Sequence, residues 1–257
     1  MNNSFEGKVV YITGGTRGIG RALAEHFLRM GATVGITGRE PSKADDLRSQ
    51  FSPSQLLIIR SDATILDEIN NSMTEVEAAF GPIDICILNA GGVRDSAPVI
   101  DMTDDEWEFE FNINIHHVFR GTRRALQTMI PRQSGRIIAV SSIEGKHGKA
   151  RLSGYTANKH AINGFVKAAA QEVGTQGIAI TAICPGLVLT DALVNSAGKN
   201  SGAGSLEGVI ELYTKEAAIK RMVTLDEICG LVELLAGPAG MAFAGGTISV
   251  DGGHAFY

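Results

Sequence analysis

Lys8-Val9-Val10-Tyr11-Ile12-Thr13-Gly14-Gly15-Thr16-Arg17-Gly18-Ile19-Gly20 is the stretch that decides the fold. A short apolar run, Lys8 to Ile12, enters a glycine-rich turn, after which Arg21 to Met30 carries helical periodicity and stops at Gly31. The order is strand, glycine turn, helix. Glycines at 14, 18 and 20 allow a tight turn, let backbone approach a pyrophosphate and let the helix pack close to the strand, with the helix N-terminus facing the phosphates. The spacing is G-x-x-x-G-x-G rather than G-x-G-x-x-G, and a plain strand-to-helix connection would also use such a turn. Its place at the end of the first strand favours a dinucleotide site.

The same alternation continues outward. Ala32 to Ile36, Gln55 to Arg60, Ile83 to Leu88, Gly135 to Ser141, Gly177 to Ile183 and Thr247 to Val250 read as six further strands. Helical patterns begin near Ile65 and cover Thr103 to Met129, Gly154 to Gly174, Val209 to Ile219 and Leu225 to Leu235. Seven strands alternating with helices predict an α/β Rossmann fold: a doubly wound, seven-stranded parallel sheet with helices on both faces, in one domain over 1–257. Ala192 to Gly208 is rich in Gly, Ser, Ala and Asn, which predicts a flexible substrate lid at about 190–220.

Composition bounds the function. The 257 residues are 44% hydrophobic and 20% charged, enough for a large core, and no linker divides them. A formal net charge of −5 argues against nucleic acid or an anionic membrane as partner, since both attract clustered Lys and Arg. Three widely spaced cysteines, Cys86, Cys184 and Cys229, suggest neither a disulfide framework nor a metal cluster. With no apolar leader and no run of about 18 apolar residues, a cytoplasmic protein is expected.

Chemistry-bearing residues gather where parallel strands end. After the second strand comes Thr37-Gly38-Arg39, where NAD-binding units usually place an acid for the ribose hydroxyl and where an Arg suits a 2′-phosphate. Arg39 with Arg17 therefore favours NADP(H) over NAD(H), although Glu40 stands ready to neutralise Arg39. Asp62 suits either the adenine amino group or the cap of the following helix. Asn89-Ala90-Gly91 would let backbone lie on a flat ligand, and Asn89 suits a tie between strands. Asn114 fits either a water-holding role behind Lys159 or a satisfied structural amide. Ser142 ends the fifth strand, and Tyr155 and Lys159, at i and i+4, share one face of a helix. A phenol of pKa about 10 becomes a useful acid or base only if neighbouring cations lower that value, and one ammonium supplies part of what is needed.

Taken in order and spacing, Thr13-Gly-Gly-Thr-Arg-Gly-Ile-Gly20, Asp62, Asn89-Ala-Gly91, Asn114, Ser142, Tyr155-Thr-Ala-Asn-Lys159, Pro185-Gly186 with Thr190, and Asp251-Gly-Gly253 resemble the short-chain dehydrogenase/reductase family from Lys8 to Gly253. The resemblance implies a catalytic tetrad of Asn114, Ser142, Tyr155 and Lys159. It implies cofactor contacts from Gly14, Thr16, Arg17, Gly18, Ile19, Arg39, Asp62, Ala63, Asn89, Ala90, Gly91, Tyr155, Lys159, Pro185, Gly186, Val188 and Thr190. It implies reversible hydride transfer between NADP(H) and a ketone or its alcohol, Ser142 holding the carbonyl and Tyr155 moving the proton, with an oxidised nicotinamide as the second cation. The nearest kinds of member are 3-oxoacyl and polyketide ketoreductases, with NAD-linked alcohol or hydroxysteroid dehydrogenases as the alternative and a non-catalytic NADP-sensing or scaffold protein as the reading of another class.

The substrate is expected to be a small carbonyl compound or alcohol, walled by Val93, Ile143, Glu144, His147, Leu152 and Leu187. Glu144, Lys146, His147 and Arg151 suit either a carboxylate or phosphate substrate or plain solvation. Gln133 and Gln176 stand where acyl-carrier-protein reductases carry basic residues, which disfavours that partner, while Arg123, Arg124 and Arg132 could compensate. Family analogy also implies a homodimer or homotetramer, with small residues of the 154–174 helix and the tail His254-Ala-Phe-Tyr257 available for contact.

Overall fold

A computed structural model describes residues 4–94, 96–190, 193–194 and 205–255. The strands are Val9–Ile12 (β1), Thr33–Gly38 (β2), Leu56–Arg60 (β3), Ile85–Leu88 (β4), Gly135–Val140 (β5), Ile178–Pro185 (β6) and Thr247–Val250 (β7). Every expected strand is present. They form one parallel sheet in the order β3-β2-β1-β4-β5-β6-β7. The helices are Gly18–Arg29 (α1), Leu47–Gln50 (α2), Leu66–Phe80 (α3), Asp104–Phe111 (α4), His117–Arg132 (α5), Ser153–Val173 (α6), Leu206–Glu216 (α7) and Leu225–Ala236 (α8).

Period-two alternation divides the core into two layers. Val10 and Ile12 of β1 join α1 and α8 on one face, while Val9 and Tyr11 join α3, α5 and α6 on the other. All three cysteines are free and buried, as small apolar residues would be. No helix of the described residues is long and apolar enough to cross a membrane, and no acidic, His or Cys cluster among them could hold a metal.

Two expectations about helices change, and one about α6 is narrowed. The first helix begins at Gly18, not Arg21, so Gly18 and Gly20 lie in its opening turn. The helical region expected from Thr103 to Met129 is divided by a π-helical turn at Asn112–His116 and runs on to Arg132, through Pro131. A proline in the last turn forfeits few backbone bonds, and the left-handed Gln133 (φ 50°) then ends the helix. Finally, Gly164 and Ala168 of α6 face outward, while Ile162, Val166 and Val173 cover the sheet. Part of the expected lid, 191–192 and 195–204, lies outside the described residues, as do Phe256 and Tyr257, while α7 occupies much of its remainder.

Gly20 shows why the turn needs glycine. A Cβ there would lie 2.4 Å from both Gly14 O and Asn89 Nδ2, inside any tolerable contact. Gly20→Ala is therefore expected to destabilise the protein by about 1 to 3 kcal/mol despite alanine's better helix propensity, read as a lowered denaturation midpoint.

Candidate active site

The strand order reverses between β1 and β4, and a parallel sheet opens a crevice at that point beyond its carboxyl ends. Asn89 holds the two strand ends together. Its Nδ2 donates to Thr13 O (2.9 Å) and Gly14 O (3.1 Å), while Thr13 Oγ1 accepts from the backbone N–H groups of Asn89 and Ala90. A cavity of about 590 Å³ runs along this edge from Arg17 and Arg39 to Tyr155 and Tyr213. Every residue assigned above to the cofactor lines it.

The residues fit a dinucleotide. Gly14 (φ +64°) and Gly18 (φ +56°) make the turn, and α1 opens onto the cavity with no acidic residue in its first turn to oppose a phosphate. At the outer end, Lys43 Nζ binds Glu40 Oε1 at 2.8 Å, so Glu40 is held by Lys43 rather than by Arg39. Arg17 and Arg39 make no ion pair among the described residues. Gly38 closes the question of an acid at that strand end, because a Cβ there would lie 2.6 Å from Thr16 Oγ1. Asp62 is not a helix cap: its Oδ1 accepts from Thr64 N (2.9 Å) and Thr64 Oγ1 (2.8 Å), and α3 starts behind Ile65 with no side-chain cap. It lines the cavity instead.

At the inner end the π-helical turn carries Asn114, which is fully buried and does not line the cavity. Its Nδ2 donates to Gly92 O and Glu110 O (2.9 Å each) and its Oδ1 accepts from Gly92 N (3.1 Å), so the side chain is spent on backbone. A Cβ on Gly91 would lie 2.8 Å from Asn114 Oδ1 and 3.3 Å from Lys159 Nζ, so both side chains press on one bare point of backbone. His117, three residues on, is a buried imidazole that nothing in the sequence singles out. Burial and the Lys159 charge push its pKa down to about 3, which keeps it neutral.

Ser142, Tyr155 and Lys159 meet on the cavity wall. Lys159 Nζ donates to Val140 O (2.9 Å) and stands 5.3 Å from the centre of the Tyr155 ring. Burial pulls the ammonium down to about 8. The expected lowering of Tyr155 is not achieved by the chain's own groups. Burial raises the phenol first, the charge of Glu144 raises it further, and a hydrogen bond with Ser142 offsets only part. Tyr155 is therefore held as a phenol, a proton donor.

Of the residues assigned to substrate, Val93, Ile143, Glu144, Leu152 and Leu187 line the cavity. His147 does not; its ring stacks on His254 at 5.3 Å between centroids, and His254 in turn bonds Glu216 at 3.1 Å. Glu144 is not a solvated loop charge. It is buried, its Oε2 accepting from Ser142 Oγ at 2.5 Å and its Oε1 from Tyr213 OH at 2.9 Å. Sequence reasoning missed Tyr213 and Lys149, which also line the cavity, the ammonium lying 3.2 Å above the Tyr213 ring. Lys146 does not line it, and Arg151 donates to Ser96 O (2.8 Å).

A family model described as short chain dehydrogenase matches residues 8–201. The 3-oxoacyl-[acyl-carrier-protein] reductase FabG of Salmonella typhimurium is 32% identical over 253 residues, covering 97% of this chain and 98% of its own. Among solved structures, an actinorhodin polyketide ketoreductase variant with NADPH aligns at a TM-score of 0.89 and 28% identity, over 97% of this chain and 98% of its own. A short chain dehydrogenase of Burkholderia cenocepacia in complex with NADP aligns at 0.85 and 27%, over 98% and 99%. The fold, the crevice at its switch point and this likeness together make the chain a member of the short-chain dehydrogenase family, an NAD(P)-dependent oxidoreductase acting on carbonyl and hydroxyl groups.

Proposed function

We propose that the chain is an NADPH-dependent carbonyl reductase, running in reverse as a secondary-alcohol dehydrogenase. The observation that carries this reading is one cavity with Arg17 and Arg39, which make no ion pair among the described residues, at its outer end and Ser142, Tyr155 and Lys159 at its inner end. The two solved structures above, which hold NADPH and NADP, support the same cofactor. Arg17 and Arg39 would hold the 2′-phosphate, the α1 N-terminus the pyrophosphate, and Thr190 with the backbone near Val188 the carboxamide. When bound, NADPH supplies the hydride that the carbonyl carbon accepts.

The chain supplies the rest. Ser142 gives its hydroxyl hydrogen to the carbonyl oxygen, which steadies the charge that builds there. Tyr155, kept protonated by burial and by Glu144, gives its proton to that oxygen. Lys159 holds the positive charge that makes the phenolate tolerable until a proton returns.

Lys159 is protonated below about 8 and loses its charge above that value. Reduction is therefore expected to fall as pH rises through about 8. Steady-state kcat/KM for a panel of ketones, with NADPH and with NADH from about pH 6 to about pH 10, tests both halves of the reading. A preference for NADH would favour the NAD-linked alcohol or hydroxysteroid dehydrogenase alternative, and a rate that climbs through pH 8 would remove Lys159 from its role.

The names of the curated relatives favour an acyl-carrier-protein substrate as a second reading. Two of the arginines that could serve such a partner are engaged elsewhere: Arg124 pairs with Glu77, and Arg132 bonds Asp84 (3.4 Å) and Ile83 O (2.5 Å). A free small ketone fits this surface better.

A further inference from the structure

Glu144 sits 4% exposed on the cavity wall, yet none of the described cations pairs with it. Its two donors are neutral hydroxyls, Ser142 on Oε2 and Tyr213 on Oε1. Lys149, the nearby ammonium, lies over the Tyr213 ring instead. A carboxylate has about four acceptor sites, so this one has room for another donor.

The Ser142 bond creates a conflict. A serine has one O–H, and here it points at Glu144, whereas reduction needs it on the substrate carbonyl. A simple ketone brings only acceptors. If it takes the Ser142 hydrogen, Glu144 is left short of a donor inside a buried site, where unmade hydrogen bonds are most costly. A substrate with its own donor beside the carbonyl removes the conflict, giving its hydrogen to Glu144 and releasing Ser142 to turn to the carbonyl. The spacing suits this exchange. With Ser142 Oγ and Glu144 Oε2 2.5 Å apart, a carbonyl oxygen bonded to Ser142 lies at most about 5 Å from Oε2, a span that a hydroxyl on the adjacent carbon covers with one hydrogen bond.

We infer that Glu144 determines the specificity of this cavity and that the substrate is a vicinal hydroxy ketone, or the matching 1,2-diol in the oxidative direction; this rests on the carbonyl-reductase reading above. A 3-oxoacyl thioester carries no such hydroxyl. Negative charge at Glu144 also opposes the carboxylate or phosphate substrate that the basic residues of this loop suggest.

The test uses the full-length protein with NADPH and a matched pair, cyclohexanone and 2-hydroxycyclohexanone, with an acetoacetyl thioester as a third compound. Binding is read by calorimetry and turnover by kcat/KM. The wild type is expected to favour the hydroxy ketone by about tenfold or more in both. Glu144→Gln is expected to bring the ratio close to one, whereas Tyr213→Phe, which removes a donor to Glu144 but keeps the carboxylate, preserves it. Equal binding of the pair by the wild type, a ratio unmoved in Glu144→Gln, or a preference for the thioester would overturn the inference. Selective binding of the hydroxy ketone without turnover of any ketone would instead fault the reductase reading and leave the selection by Glu144 standing.

Discussion

Tyr155→Phe is expected to lower kcat/KM for ketone reduction by a factor on the order of 10³ while leaving the affinity for NADPH nearly unchanged. The substitution removes one hydroxyl and keeps the ring, so the packing beside Lys159 Nζ, 5.3 Å from the ring centre, survives. What disappears is the proton donor. Burial and the charges of Glu144 and Glu110 hold the phenol in its protonated form. Ser142 would still polarise the carbonyl, so residual turnover above the uncatalysed rate is expected. Fluorescence titration with NADPH and steady-state kinetics separate the two effects. Unchanged turnover would refute the assignment of Tyr155, and a parallel loss of NADPH binding would recast it as a cofactor-positioning residue.

The second large effect concerns the cofactor. Replacing both Arg17 and Arg39 with alanine should weaken NADPH by roughly 10² or more in kcat/KM and leave NADH almost untouched. Charge-assisted hydrogen bonds are worth about 1.5 to 3 kcal/mol each, and the exposure of both arginines places them toward the lower end of that range. Exposure also makes the contribution sensitive to salt, so the advantage of NADPH over NADH should shrink as ionic strength rises. Glu40 does not cancel the effect, since its carboxylate is held below its usual range first of all by the hydrogen bond from Lys43. Equal losses with both cofactors would show that the arginines shape the turn rather than read the phosphate.

The architecture was legible because its signals are local. Apolar runs of strand length, a glycine turn after the first and helical periodicity between the rest leave few topologies once crossovers must be short and right-handed. The inner site was legible for the same reason, Tyr155 and Lys159 being one helical turn apart and Ser142 standing at a strand end. The π-helical turn at Asn112–His116 was not legible. No Pro or Gly marks it, and the extra residue serves a buried amide that bonds Gly92, twenty-two positions away.

Glu144 shows the limit most plainly. Its sequence neighbours, Lys146, His147 and Arg151, read as a solvated polar loop, yet it is buried against Tyr213, sixty-nine positions along the chain. The environment of Tyr155 was only partly legible for a related reason: the i+4 lysine, which by itself supplies part of the needed lowering, is visible in the sequence, but the desolvation and the two carboxylates that raise the phenol come from other elements. The sequence by itself determined the parallel sheet, the dinucleotide turn and the identities of Ser142, Tyr155 and Lys159, because backbone periodicity and short-range spacing specify them. Only the tertiary structure decided which charges face one another in the cavity, because burial and long-range contact, not local pattern, set the electrostatic environment in which those side chains work.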